Sequence, residues 1–252
     1  MKMKIIGNDQ TWLGGVTLRD PSAPEENNMA LHACKDPDAV LGNRAALAAV
    51  LGFQAQDLTC ANQTHSANFH KVTKKDIGRG ALSLTDAIPD TDALYTTEPG
   101  LLLAGFMADC VPVLLVNEPA GVAAVVHSGW QGTVKEITPK LLRHLETEEG
   151  CRPEDFIVHI GPALSQEKFQ VDQDVCDRFR ALGYAGPFIQ YNEETGKFHI
   201  DNKQTVKTQC ERAGIITENI TVDPTCTFKS GDGFSYRENK QAGRHLAFVV
   251  LR

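Results

Sequence analysis

Between residues 92 and 127 the chain strings together four β-type runs, 93–96, 101–106, 111–116 and 121–127, broken by Glu98-Pro99-Gly100 and Asn117-Glu118-Pro119-Ala120-Gly121. Strands with one wet face alternate apolar and polar residues, whereas these runs are apolar throughout, the mark of strands covered on both faces. They predict the core sheet of a layered fold, with helices around it.

The remaining periodicities supply those helices. Asp36 and Pro37 form a start signal, Val40, Leu47 and Leu51 recur at helical spacing, and Gly52 is a stop, so a helix is expected over 37–51. A second helix carries Val134, Ile137, Leu141, Leu142 and Leu145 on one face. A third carries Val171, Val175, Phe179 and Leu182 and ends at Gly183; a fourth spans 205–213 and ends at Gly214. Short strands are expected at 58–61, 68–72, 156–160, 220–222 and 246–251, and the stretch 76–92 reads as a mobile or site-covering loop. Residues 15–19 and 27–31 read as loops. Without a Gly/Ser linker or a repeat, 1–252 is expected to be one α/β (α+β) domain, a mixed β-sheet flanked by helices.

Charge and cysteine usage exclude several classes. A formal net charge of −7, with no basic tract longer than Lys74-Lys75, argues against a nucleic-acid polymer as partner. No apolar run is long enough to span a bilayer, so no membrane partner is expected. Seven cysteines, an odd number without a C-x-x-C pair, fit reduced thiols in a cytoplasmic protein.

Three segments set reactive or metal-ligating side chains at the edges of apolar runs, where sites in α/β proteins are built. They are Gln63-Thr64-His65-Ser66, Ala108-Asp109-Cys110-Val111-Pro112 and His127-Ser128-Gly129-Trp130-Gln131-Gly132-Thr133. Two His and one Cys make a three-ligand set of the kind that binds Zn²⁺ with a fourth position open. The same donors suit copper, and Cys110 with His127 as base would serve as a nucleophile pair. The glycines after His127 also let backbone approach an anion where a helix begins. Near the C-terminus, Arg237 offers a planar fork for phosphate or carboxylate, while Phe234 and Tyr236 read as core.

Together these motifs resemble the YfiH/YlmD family. The likeness rests on the three segments above, with Val113-Leu114-Leu115 and Val134 extending them, and on Gly161-Pro162-Ala163-Leu164 followed by Phe169-Gln170-Val171. Phe234-Ser235-Tyr236-Arg237 with Gly243-Arg244, Asn28-Met29-Ala30-Leu31 and Gly42-Asn43-Arg44 carry it over nearly the whole chain. The resemblance implies a layered α/β fold shared distantly with the cytotoxic necrotizing factor catalytic domain. It further implies a zinc site of His65, Cys110 and His127, which are also the expected catalytic residues, and Arg19, Asn28, Gln63, Ser128 and Arg237 as substrate contacts. Family members are described both as laccase-like polyphenol oxidases and as purine nucleoside phosphorylases with adenosine deaminase and methylthioadenosine phosphorylase activity. Purine nucleosides and phosphate are therefore the expected partners, zinc the expected cofactor, and copper the alternative. Two positions depart from the family: Gln131 stands where Arg or Lys is usual, removing a charge beside the expected anion site, and Ala242 where Thr is frequent.

Overall fold

The apolar runs do become strands with both faces covered, but in two large sheets rather than one. The computed structural model describes residues 1–8 and 10–252. In chain order the strands and helices are β1 (Met3–Asn8), β2 (Trp12–Thr17), α1 (Pro37–Leu51), β3 (Leu58–Cys60), β4 (Phe69–Lys71), β5 (Ala93–Thr96), β6 (Leu102–Met107), β7 (Val111–Asn117) and β8 (Val122–Ser128). They continue with α2 (Trp130–Val134), α3 (Ile137–Glu149), β9 (Phe156–Ile160), β10 (Gln170–Val171), α4 (Gln173–Arg180), β11 (Ile189–Asn192), β12 (Lys197–Ile200), α5 (Asn202–Arg212), β13 (Ile220–Val222) and β14 (His245–Leu251).

One sheet has the order β1-β2-β14-β6-β3, the other β13-β9-β7-β8-β5-β4, and β10-β12-β11 form a small third sheet. Both large sheets are mixed: β3 runs parallel to β6, β4 to β5 and β13 to β9, and the other pairings are antiparallel. The two pack face to face through Trp12, Val16, Leu103, Leu114, Val125 and Val249. Leu47 of α1 joins the outer face of the first sheet through Leu58, Leu102 and Phe248. On the outer face of the second, Leu141 and Leu145 of α3 and Val206 and Cys210 of α5 cover Val113, Val126 and Val158. Helix, sheet, sheet, helix is thus the layer order, and β2, β14 and β6 of one sheet and β7, β8 and β5 of the other are buried on both sides.

The expectation of a single core sheet is corrected at β6. Met107 closes β6 in the first sheet, and four residues later Val111 opens β7 in the second, so the chain changes sheets through Ala108-Asp109-Cys110. Residues 15–17 also lie in β2, not in a loop. The low β-propensity of Gly14-Gly15 hides the strand, yet the fold needs those glycines: a Cβ on Gly15 would stand 2.6 Å from the Lys4 carbonyl and 2.8 Å from the Phe248 ring. Val134 and Ile137 fall in two helices, because Glu136 adopts a left-handed conformation (φ 57°) that ends α2 and starts α3. Val171 pairs with Phe198 in β10 and β12, so α4 begins only after Asp172. The helix over 37–51 forms as expected, with the Asp36 carboxylate accepting from the backbone of Asp38 and Ala39, and Gly52 in the left-handed region.

Candidate metal centre and its two cavities

The donors His65, Cys110 and His127 come from different chain segments but converge at one end of the sandwich. His65 follows β3, Cys110 lies in the turn between the sheets, and His127 is the penultimate residue of β8. Their ligand atoms all lie within 4.8 Å of one another, and Cys110 Sγ is 3.9 Å from His65 Nε2. Gly129 makes the space: a Cβ there would stand 2.9 Å from both Cys110 Sγ and His65 Cδ2. A cradle that a single methyl group would fill, lined by two imidazoles and a thiol, fits a four-coordinate Zn²⁺ with one open position.

Asp92, immediately before β5, organises both histidines. Its Oδ1 accepts from His127 Nδ1 at 2.8 Å, leaving Nε2 as that ring's ligand atom, and from the His65 backbone N–H at 3.1 Å. Its Oδ2 accepts from Ser66 N and Oγ, both at 2.7 Å. His65 itself sits in the left-handed region (φ 59°), where a non-glycine residue persists only when its surroundings hold it. The Asp92 bond and the Lys135 Nζ donating to the His65 carbonyl at 2.6 Å do so. Carboxylate-oriented histidine is a recurrent support for metal ligands.

Charge coupling primes the donors. Burial pushes the Cys110 thiol up, but the His127 and His65 rings outweigh it and bring the thiol below its ordinary range. Burial pushes His127 down, but Cys110 and Asp92 outweigh it and raise the ring. Burial opposes the ionised form of Asp92 too, yet His127 and Ser66 hold it down at about 2. The thiolate favoured here is the form that ligates a metal, and His127 would give up its Nε2 proton on serving as a ligand.

Two cavities of about 510 Å³ each open onto the cluster, His65 and Cys110 lining both and His127 the second. They share His65, Ala108, Cys110 and Tyr236. The first adds Trp130, Phe169 and Asp174, the second His32, Gln63 and Arg244. Asp109, left-handed at φ 81°, carries the site's other wall: its Oδ1 accepts from Thr227 Oγ1 and its Oδ2 from Arg237 N, each at 2.7 Å. In the second cavity, burial and then the guanidinium groups of Arg244 and Arg44 push His32 down to about 4, so it is neutral near pH 7.

Of the expected substrate contacts, Gln63 and Arg237 line these cavities. Gln63 spends its amide on the backbone of Phe106, donating at 2.8 Å and accepting at 2.7 Å. Arg237 donates through Nη1 to the Gln170 carbonyl. The structure places the other three elsewhere. Arg19 is held in a two-bond ion pair by Glu26, away from the triad in a different cleft. Asn28 is fully buried, accepting from the backbone of Ala30 and Arg244 and donating to Ala33, so it scaffolds the loop rather than facing a ligand. Ser128 is fully buried against Thr133 Oγ1. Tyr236, expected in the core, is 48% exposed and stands between the cavities. The helix after His127 has only five residues, and Gly132 is close-packed, its Cβ position 3.5 Å from the carbonyls of His127 and Ser66. The glycines there serve a tight strand-to-helix turn.

Sequence reasoning missed Asp92 and Asp109. The available signal was position: each carboxylate stands at the mouth of an apolar run, where an unpartnered charge would be costly.

Residues 11–252 match the family described as multi-copper polyphenol oxidoreductase laccase. The chain belongs to this laccase-domain family. It is 37% identical over 228 residues to the protein named purine nucleoside phosphorylase YlmD of Geobacillus stearothermophilus, a span of 89% of this chain and 83% of that relative. Identity to the YlmD of Bacillus subtilis, which carries the same name, is 32% over 253 residues, covering 99% and 89%. Among solved structures, this laccase-domain chain matches YlmD of G. stearothermophilus with a TM-score of 0.90 at 32% identity, covering 98% of each chain. It matches YfiH of Bacillus licheniformis with a TM-score of 0.91 at 28% identity, covering 98% and 99%.

Proposed function

We propose that the protein is a zinc-dependent purine nucleoside phosphorylase whose 252 residues act as one catalytic unit in the cytoplasm. Adenosine deamination and methylthioadenosine phosphorolysis would be further activities of the same site. The observation that carries this reading is a three-donor cluster, His65, Cys110 and His127, opening on two cavities at once. Such an arrangement suits a reaction of two substrates at one centre. All seven cysteines are free, and no helix among the described residues is long and apolar enough to cross a membrane, both in keeping with the proposed location.

A zinc ion on these donors would supply Lewis acidity at an open coordination position. The chain's own residues do the holding. Asp92 fixes the His127 tautomer, Lys135 and Asp92 fix the His65 backbone, and Asp109 secures the loop that brings Tyr236 and Arg237 over the triad. In phosphorolysis an oxygen of hydrogen phosphate bonds to the ribose C1′ while the C1′–N9 bond breaks. That bond's electron pair leaves with the purine, and the phosphate proton ends on the base.

The family description favours a second reading, phenol oxidation at copper. Against it, the described residues contain one cluster of three or more metal-binding side chains, whereas multi-copper chemistry needs several. Release of hypoxanthine from inosine with phosphate, and of ammonia from adenosine, tests the proposal, with metal analysis alongside. A pure, zinc-loaded sample inactive in both assays overturns it; stoichiometric copper with phenol turnover supports the second reading.

A further inference from the structure

The two cavities differ in charge, and a phosphorylase must seat two chemically opposite substrates. We propose that the cavities divide them: inorganic phosphate enters the one holding Arg244, and the purine enters the one holding Trp130 and Phe169, with Tyr236 between. This assignment rests on the phosphorylase reading above.

The Arg244 cavity has no carboxylate among its described lining residues. The Arg244 guanidinium lies 5.6 Å from the centre of the Tyr236 ring. Its hydrogen bonds to protein, among the described residues, run from Nη1 to the carbonyls of Ala242 and Gly243. Nε and Nη2 are therefore left to donate to an oxyanion, the paired geometry in which arginine binds phosphate. A second guanidinium, Arg44, stacks behind on Phe106 at 4.8 Å and adds positive potential to that wall.

The other cavity is unsuited to a dianion. Asp109, Asp172 and Asp174 line it against Arg237 and Lys240, so its carboxylates outnumber its cations. Phosphate there meets like charge. A purine does not: its faces stack on Trp130 and Phe169, and its N–H groups donate to carboxylate oxygens. Of the three, Asp109 is occupied by Thr227 and Arg237, and Asp172 pairs with Lys197, which makes Asp174 the carboxylate available to the base.

The shared wall fits the chemistry. Direct displacement at C1′ sets the incoming oxygen and the departing nitrogen on opposite faces of the sugar. A ribose lying across Cys110, His65 and Tyr236 has one cavity on either side.

The test combines phosphorolysis kinetics with isothermal titration of inorganic phosphate into the metal-loaded protein. Arg244→Met should raise both the KM and the Kd for phosphate at least about tenfold while leaving the KM for inosine within about threefold; Arg244→Lys, which keeps the charge but not the fork, should fall between. Phe169→Ala should raise the KM for inosine about tenfold and leave the phosphate Kd unchanged. An Arg244→Met protein that is folded by circular dichroism yet titrates phosphate like the parent overturns the assignment, as does Phe169→Ala weakening phosphate as much as Arg244→Met does. The titration needs no turnover. A parent protein that fails to phosphorolyse nucleosides but binds phosphate through Arg244 therefore refutes the phosphorylase reading and supports the anion site.

Discussion

Two aspartates flank the triad and do unlike work. Asp92 stands at the start of a strand in the six-stranded sheet and, through one carboxylate, ties together the loop carrying His65 and the strand end carrying His127. Asp109 sits in the crossing between sheets, in a left-handed turn, and ties down residues 227 and 237 of a distant loop. The donor side is therefore built on sheet ends, and the cavity side on loops that a single carboxylate recruits. On the function proposed above, position of the metal and admission of the substrate are separately encoded, and substitutions should separate them.

The largest effect belongs to the donors themselves. Cys110→Ala or His127→Ala should empty the site and reduce phosphorolysis more than about a hundredfold, since even outer partners of metal ligands are worth 10–100-fold; metal content by mass spectrometry and initial rates check this. Asp92→Asn should lower zinc affinity about 10–100-fold, read by competition with a chromogenic chelator, with activity restored by excess zinc. Asp109→Asn tolerates the same backbone but sets an NH₂ group against the Arg237 N–H; it should raise the nucleoside KM about tenfold, the low end of the scale for one charge-assisted hydrogen bond, with zinc stoichiometry unchanged. If Asp109→Asn loses metal, or Asp92→Asn changes only KM, the separation between the two sides is wrong.

A pH effect lies outside the site. His245 is buried, its Nδ1 bonded to the Thr17 carbonyl at 2.7 Å and its Nε2 accepting from Phe234 N at 2.8 Å, a pattern only the neutral ring satisfies. Burial pushes it, and His159, from 6.5 down to about 4. The unfolded chain takes up protons on these rings below about pH 6.5, whereas the native chain resists until about pH 4. Their contribution is complete above pH 6.5 and lost as pH falls through that window, at up to about 1.4 kcal/mol per pH unit for each ring. Urea midpoints at pH 7, 5.5 and 4.5 should fall in that order, and His245→Gln should flatten the trend.

The layered α/β character and the identity of the triad residues were legible in the sequence, because both leave local marks: unbroken apolar runs, and polar side chains at their ends. The partition into two sheets was not. Nothing between Met107 and Val111 distinguishes a hairpin from a crossing, since β6 and β7 are equally apolar and the information lies in their partners, β14 and β9, more than 40 residues away. Arg19 and Asn28 misled for a related reason. Both carry groups suited to a ligand, but Glu26 and the backbone of residues 30, 33 and 244 reach them first. Tyr236 reads as core by composition and is held half-exposed by its loop's attachment to Asp109.

The place of β14 bears on how such a chain can be made. Residues 245–251 lie in the interior of the five-stranded sheet, between β2 and β6, although β2 is synthesised more than 220 residues earlier. Until that segment leaves the ribosome, β2 and β6 each expose an open, apolar edge, the kind of surface that invites misassembly. Arg244 arrives in the same moment, so the cavity it lines closes only with β14. A chain interrupted before residue 244 would hold the triad's residues and still lack the chamber around them.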